Sequence, residues 1–242
     1  MDRFQFRRGD ESFAPIYRSI YDPVKSNMYI FISSGEAVII DPNISDEAAA
    51  LLEENNVHRV IIGLTHEHHD HTSGLYWYQE HFDSTVICQK YCAECMDSKK
   101  YLRPMLLKFI LGKEDKIGGT HKLEEFEKVF VPRQYRADVT YEEELFLNWD
   151  NHKLELIHIP GHSKGSSLII LDENFVFTGD SLLKDIPIIT RFPGSIQSDY
   201  EQITLPILRK KLRNNMILLP GHGNPFIIND IIREGEICVN FR

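Results

Sequence analysis

The chain has 242 residues, 42% of them hydrophobic, and a formal net charge of −9. That is enough apolar material for a sizeable core, and the acidity excludes the clustered Lys/Arg surface that nucleic acid or an anionic membrane demands. No stretch approaches the ~18 uninterrupted apolar residues of a membrane span. The opening MDRFQFRRGDESF has no apolar core of signal-peptide length, and four cysteines at this length make no disulfide framework. We expect one domain over residues 1–242, soluble and cytoplasmic. Its partner is then a small-molecule substrate, with no nucleic acid and no membrane, and a homodimer is the candidate assembly.

Short apolar runs alternate with amphipathic stretches in chain order. YIFI (29–32) and AVIID (37–41) flank Ser-Ser-Gly-Glu and predict a hairpin. SDEAAALLEENN (45–56) opens with a Ser cap and acidic first-turn residues, which predicts a helix. RVIIGL (59–64) and TVIC (85–88) read as buried strands, with a helix starting near Thr72 between them and another over 89–101. Residues 102–135 look like an inserted helical segment without a motif, either a pocket wall or plain packing. ELFL (144–147), KLELIHI (153–159), SSLIIL (166–171) and FVFTG (175–179) read as strands, 199–213 as a helix and MILL (216–219) as a last buried strand. The order predicts α/β layers with mixed sheets. CQKYCAEC (88–95) has an iron–sulfur-like spacing, but we read Cys88, Cys92 and Cys95 as small buried hydrophobes.

The polar residues at the strand ends carry the information. RVIIGL runs into Thr65-His66, LELIHIPG into His162, FVFTG into Asp180 and MILLPG into His222. Three of these residues follow a glycine, which permits a sharp turn and close approach to a ligand. In layered α/β folds such ends converge on one edge, where ligands bind. LTHEHHDHTSG (64–74) adds His66 and His68, two apart and so on one side of extended chain, then Asp70 and His71. Glu67 and His69 should point elsewhere. Imidazoles and carboxylates without thiolate suit Zn²⁺, and also Fe or Mn. Seven candidates exceed one tetrahedral ion and suit two ions sharing a carboxylate.

His66-Glu67-His68-His69-Asp70-His71 resembles the H-x-H-x-D-H signature of the metallo-β-lactamase-fold hydrolases. PGHSKGS (160–166), TGDSL (178–182) and LPGHG (219–223) follow in family order, and RFPGS (191–195) is similar to an element of the glyoxalase II-like branch. The resemblance implies a four-layer αβ/βα sandwich with the 102–135 segment as a helical insertion. It also implies a ligand set: His66, His68 and His162 for one metal, Asp70, His71 and His222 for a second, and Asp180 as the bridge. Asp41 matches a supporting position behind the ligands. Arg191 and Lys164 are candidate substrate contacts. Lys164 and Asn43 depart from the residues common at those places in the family.

The implied activity is that of a binuclear hydrolase, its two divalent ions (Zn first, Fe or Mn as alternatives) sharing a bridging hydroxide that cleaves a small ester or thioester. Asp70 would orient the nucleophile as the catalytic residue. A thiolate leaves easily, so a thioester needs no strong general acid. The rivals are a lactonase or phosphodiesterase of the same fold, a mononuclear iron persulfide dioxygenase and, from another class, a regulatory or redox module that binds metal without turnover. About twenty residues follow His222, so we expect no separate glutathione-binding helical domain of the glyoxalase II kind.

Overall fold

A computed structural model describes residues 1–8, 11–97, 104–130, 133–184 and 187–228. Two mixed sheets face each other. The first runs β1 (Asp2–Phe4), β4 (Ile16–Tyr21), β5 (Ser26–Ser33), β6 (Glu36–Ile40), β7 (Arg59–Gly63), β8 (Asp83–Gln89), β9 (Val139–Tyr141). It is antiparallel as far as β6 and parallel from there to β9. The second runs β10 (Glu144–Trp149), β11 (His152–His158), β12 (Ser167–Leu171), β13 (Phe175–Gly179), β14 (Ile217–Pro220), β15 (Phe226–Ile227). Only its β13–β14 pair is parallel. A small pair, β2 (Arg7–Arg8) with β3 (Glu11–Ser12), stands apart.

Strand alternation builds the layers. In β5, Tyr29 and Phe31 face the second sheet and meet Leu156, Ile169, Phe175 and Phe177, whereas Met28 and Ile30 face outward under helices. Those outer helices are α1 (Asp46–Glu54), the short α2 (His69–Thr72), α3 (Leu75–His81) and α4 (Lys90–Met96). In α1 the Ser45 hydroxyl accepts from the Ala48 amide, and Ala48, Leu51 and Leu52 fall on the buried face at helical spacing. Burying a leucine such as Leu52 contributes roughly 1.5–3 kcal/mol. The outer face of the second sheet is covered by Tyr200, Leu208 and Leu212. The helix–sheet–sheet–helix order is the four-layer sandwich expected.

Three details differ from expectation, each in where a helix begins, ends or breaks. The helix after β7 begins at His69 rather than near Thr72, so Asp70 and His71 lie in its first turn. The helix expected over 89–101 is described as α4, and 98–101 lie outside the described residues. The segment expected as one helix over 199–213 breaks into α7 (Gln197–Asp199), a π-helical turn (Tyr200–Thr204) and α8 (Leu205–Lys211). Pro206 has no amide to donate, so a regular α-ladder cannot pass through it. The insertion is a helical pair, α5 (Pro104–Gly118) and α6 (Lys122–Val129), closed by Leu107, Leu111 and Phe126 over Tyr21 and Val24. Cys88, Cys92 and Cys95 are buried, as expected of small apolar residues, and Cys238 lies outside the described residues. Among the described residues no helix is long and apolar enough to cross a membrane.

Candidate metal centre

The ends of β7, β11, β13 and β14 converge on one edge of the sandwich. The turns that carry the polar side chains are braced by β5. The Asn27 amide donates to the Gly221 carbonyl at 2.7 Å, and its side chain donates to the carbonyls of Pro220 and Gly223 at 2.9 and 2.8 Å. Tyr29 Oη donates to the Pro220 carbonyl, and Ser26 Oγ to that of Asp70. One strand start thus ties the His222 turn to the histidine-rich turn. Gly161, at φ +137°, lets the His162 turn pass Tyr200, whose Cβ would lie 2.5 Å from any side chain placed there.

Two sets of donor atoms result. His66 Nε2 lies 3.0 Å from His68 Nδ1, and His162 Nε2 lies 3.2 Å from the same atom. In the second set Asp70 Oδ2 is 3.4 Å from His71 Nε2 and 3.3 Å from His222 Nε2. Asp180 stands between the sets, 3.6 Å from His162 Nε2, 3.5 Å from His71 Nε2 and 3.4 Å from His222 Nε2. Ligands at ~2.05 Å from a tetrahedral Zn²⁺ lie about 3.3 Å from one another. The edges of both sets lie near that length, and Asp180 oxygens lie within 3.6 Å of nitrogens in each.

His71 Nε2 and Asp180 Oδ1 are buried and have no hydrogen-bond partner. They face each other at 3.5 Å without a hydrogen bond; buried polar atoms left without one are costly, and a shared cation would satisfy both. The donor set, five imidazoles with two carboxylates, therefore fits metal ions of the Zn, Fe or Mn type.

The far side of each ring is held in place. His162 Nδ1 donates to the Ile189 carbonyl at 3.0 Å, and His66 Nδ1 meets Thr65 Oγ1 at 3.1 Å. His71 Nδ1 is 2.9 Å from Asp41 Oδ2. Asp41 also accepts from the Thr65 amide at 2.7 Å and from its hydroxyl, so although Asp41, His66 and His71 lie close enough to form a third donor cluster, its oxygens are already engaged. Asp41 orients His71 rather than facing the shared cavity. Such contacts fix ring orientation and strengthen a ligating imidazole.

The two sets are electrostatically unlike. Burial, helped by neighbouring imidazoles, pushes His66 well below the usual histidine range, His68 to about 3 and His162 downward. Those rings are neutral at pH 7, with lone pairs free. Burial also works against charging His71, but the Asp70, Asp180 and Asp41 carboxylates outweigh it and hold His71 well above the usual range. The same contest, with Asp180 and Asp70 prevailing over burial, lifts His222 to about 10. Burial opposes ionising Asp70 and Asp180, yet His71 and His222 keep both carboxyls well below the usual range.

A cation entering the second set must therefore displace protons from His71 and His222, whereas one entering the first set displaces almost none. We expect zinc entering the set of His66, His68 and His162 to release few protons at pH 7, and zinc entering the set of Asp70, His71 and His222 to release more. Affinity of the latter set should rise with pH. Calorimetric titration in buffers of different ionisation enthalpy checks this, and equal proton release in both steps would refute it.

The remaining expected residues divide. Glu67 points away and accepts from Ser163 Oγ at 2.8 Å. Arg191 and Lys164 are exposed and do not line the cavity beside the donors. Lys164 Nζ sits 3.7 Å from the centre of the Tyr91 ring, a cation–π contact on the far side of its turn. Around Arg191 it is the neighbouring Ile189 and Phe192 that turn inward. His69, expected to be ordinary, faces away from the donors but lines the cavity, against Phe126 and Phe130 of the insertion and its end. The insertion also supplies Leu107, Ile110 and Glu114 to the cavity wall, which agrees with the pocket-wall reading. No motif marked these wall residues; only the length of the insertion hinted at them.

Comparison with known proteins agrees with this geometry. The family model described as the metallo-beta-lactamase superfamily matches residues 21–222. A relative from Methanocaldococcus jannaschii, named as a probable metallo-hydrolase, is 30% identical, the match covering 82% of this chain and 87% of the relative. A protein of Haemophilus influenzae named hydroxyacylglutathione hydrolase is 28% identical over 78% of this chain and 80% of its own. Among solved structures, the BLEG-1 B3 metallo-beta-lactamase superposes with a TM-score of 0.67 at 21% identity, covering 93% of this chain and all of that one. With a family match spanning all four strand-end motifs, and a fold and donor set in agreement, this chain belongs to the metallo-beta-lactamase superfamily.

Proposed function

We propose that this protein is a binuclear metal-dependent hydrolase that cleaves a small ester or thioester. The observation that carries the reading is the shared carboxylate: Asp180 lies 3.4–3.6 Å from donors of both sets, completing each. Bound there, a pair of cations supplies Lewis acidity and brings the pKa of water from ~15.7 toward 7.

The chain's own residues do the rest. His66, His68 and His162 hold one cation, and Asp70, His71 and His222 the other. Asp70 also lines the cavity, where it can accept a hydrogen bond from the attacking water and orient it. Asp41 and the Ile189 carbonyl keep His71 and His162 facing inward. The thioester option draws support from the Haemophilus relative named for that chemistry.

The test is metal content per chain after loading with Zn²⁺, Mn²⁺ or Fe²⁺, followed by a panel of carboxylic esters, thioesters and lactones. Two ions per chain with ester or thioester turnover is the expected result. One ion and no turnover on any member would overturn the reading in favour of a metal-binding module.

A further inference from the structure

We propose that the cavity beside the donor atoms is an acyl subsite, shaped for an aliphatic or aryl acyl group of intermediate length. The cavity holds about 320 Å³ and is continuous with His68, Asp70, His162, Asp180 and His222. Its apolar wall is made by Val24, Leu107, Ile110, Leu183, Ile189 and Phe192, with Phe192 edge-on to His68 and His162. These six come from three separate segments: the β4–β5 turn, α5 of the insertion, and the loop between β13 and α7. Three independent segments contributing apolar side chains to one hollow indicate a built site, the mostly apolar pocket with a few polar groups that binds small organic molecules.

The inference rests on the hydrolase reading for which end of the substrate lies there. The reacting carbonyl carbon must sit at the donors, so the group attached to it meets the apolar wall at once. The leaving thiol or alcohol has to reach solvent. Glu114, half exposed and 3.3 Å from Lys122 in an ion pair, marks the polar, open part of the cavity. The acyl chain accordingly takes the apolar end and the leaving group the mouth. At ~30 Å³ per water-sized volume the cavity accepts on the order of ten non-hydrogen atoms, which suits an acyl chain of about four to eight carbons. The insertion determines this length: Leu107 and Leu111 anchor α5 over Tyr21 and Val24, and Ile110 on the same helix faces the cavity.

The experiment is equilibrium binding of straight-chain carboxylates, from acetate to octanoate, to the zinc-loaded protein by calorimetry. A carboxylate can bind at the metals without turnover, so the measurement does not need hydrolysis. Affinity is expected to rise about fourfold per added methylene, which is ~0.8 kcal/mol, until the cavity is full. In Ile110→Asp and in Phe192→Ala the series should flatten. A flat series in the wild-type protein, or a series unchanged in both variants, would overturn the subsite. The matched acyl-ester and acyl-thioester series then read turnover. Chain-dependent binding without hydrolysis of any ester or thioester would overturn the hydrolase reading and leave the apolar subsite standing. Turnover that tracks the length of the alcohol rather than of the acyl chain would overturn the assignment of ends.

Discussion

Asp180→Asn should strip the centre of metal and of activity together, with turnover falling on the order of 10³-fold. The substitution keeps the size of the side chain but removes its charge and replaces one ligating oxygen by an amide nitrogen with no lone pair to give. Since Asp180 lies within 3.6 Å of donors from both sets, both sets lose a member. The charge balance changes as well. Asp70 and Asp180 converge on His222 Nε2 at 3.3 and 3.4 Å, so two like charges share one small volume. Dipositive ions offset that repulsion, so losing one carboxylate weakens the demand for them. Metal analysis alongside circular dichroism separates this effect from unfolding. His81→Ala is the control, because that ring stacks on Trp77 on the surface of α3, away from the donors. Full metal content and undiminished turnover in Asp180→Asn would remove the shared-carboxylate model.

Gly221→Ala is expected to cost at least ~10²-fold in activity without removing any ligand. A Cβ at Gly221 would fall 2.3 Å from Asp180 Oδ1, 2.8 Å from His71 Cε1 and 2.9 Å from the Gly179 carbonyl carbon. A free carboxylate oxygen would yield, but the backbone of Gly179 cannot, because its carbonyl accepts from the Gly221 amide at 2.8 Å. Either the His222 turn moves outward, breaking its hydrogen bonds to Asn27, or Asp180 rotates away from one set of donors. Both outcomes lower metal affinity, most of all for the second equivalent. The check is zinc affinity by competition with a chromophoric chelator, with thermal unfolding of the metal-free protein as the measure of fold. Wild-type affinity would mean that the turn adapts and that the close approach has no consequence.

The metal centre was legible because coordination chemistry restricts residue type. Imidazole, carboxylate and thiolate are the side chains that can do the work, so His66, His68, Asp70, His71, His162, Asp180 and His222 are conspicuous at the ends of apolar runs. Strand pattern supplied their placement: a run such as FVFTG has to stop where Gly179 turns the chain. The N-terminal strands β1 and β4 were not legible, since DRF and IYRSIY mix charge with aromatics and show no clean alternation. The π-helical turn escaped too, because amphipathic periodicity continues through Pro206 even though the backbone ladder does not.

The sequence by itself determined the layered class, the positions at which strands end and the identity of the groups that can bind metal, because each of these depends on local composition and spacing. Tertiary structure alone decided which nitrogen of each histidine faces inward, that Asp180 reaches both sets, that His69 rather than Arg191 or Lys164 borders the cavity, and that Val24, Ile110 and Phe192 share a wall. The physical reason is that a wall needs only apolarity, which scores of residues offer. Which of them meet is set by the docking of the α5–α6 pair on Tyr21 and Val24, a contact between segments some eighty residues apart that leaves no trace in either one.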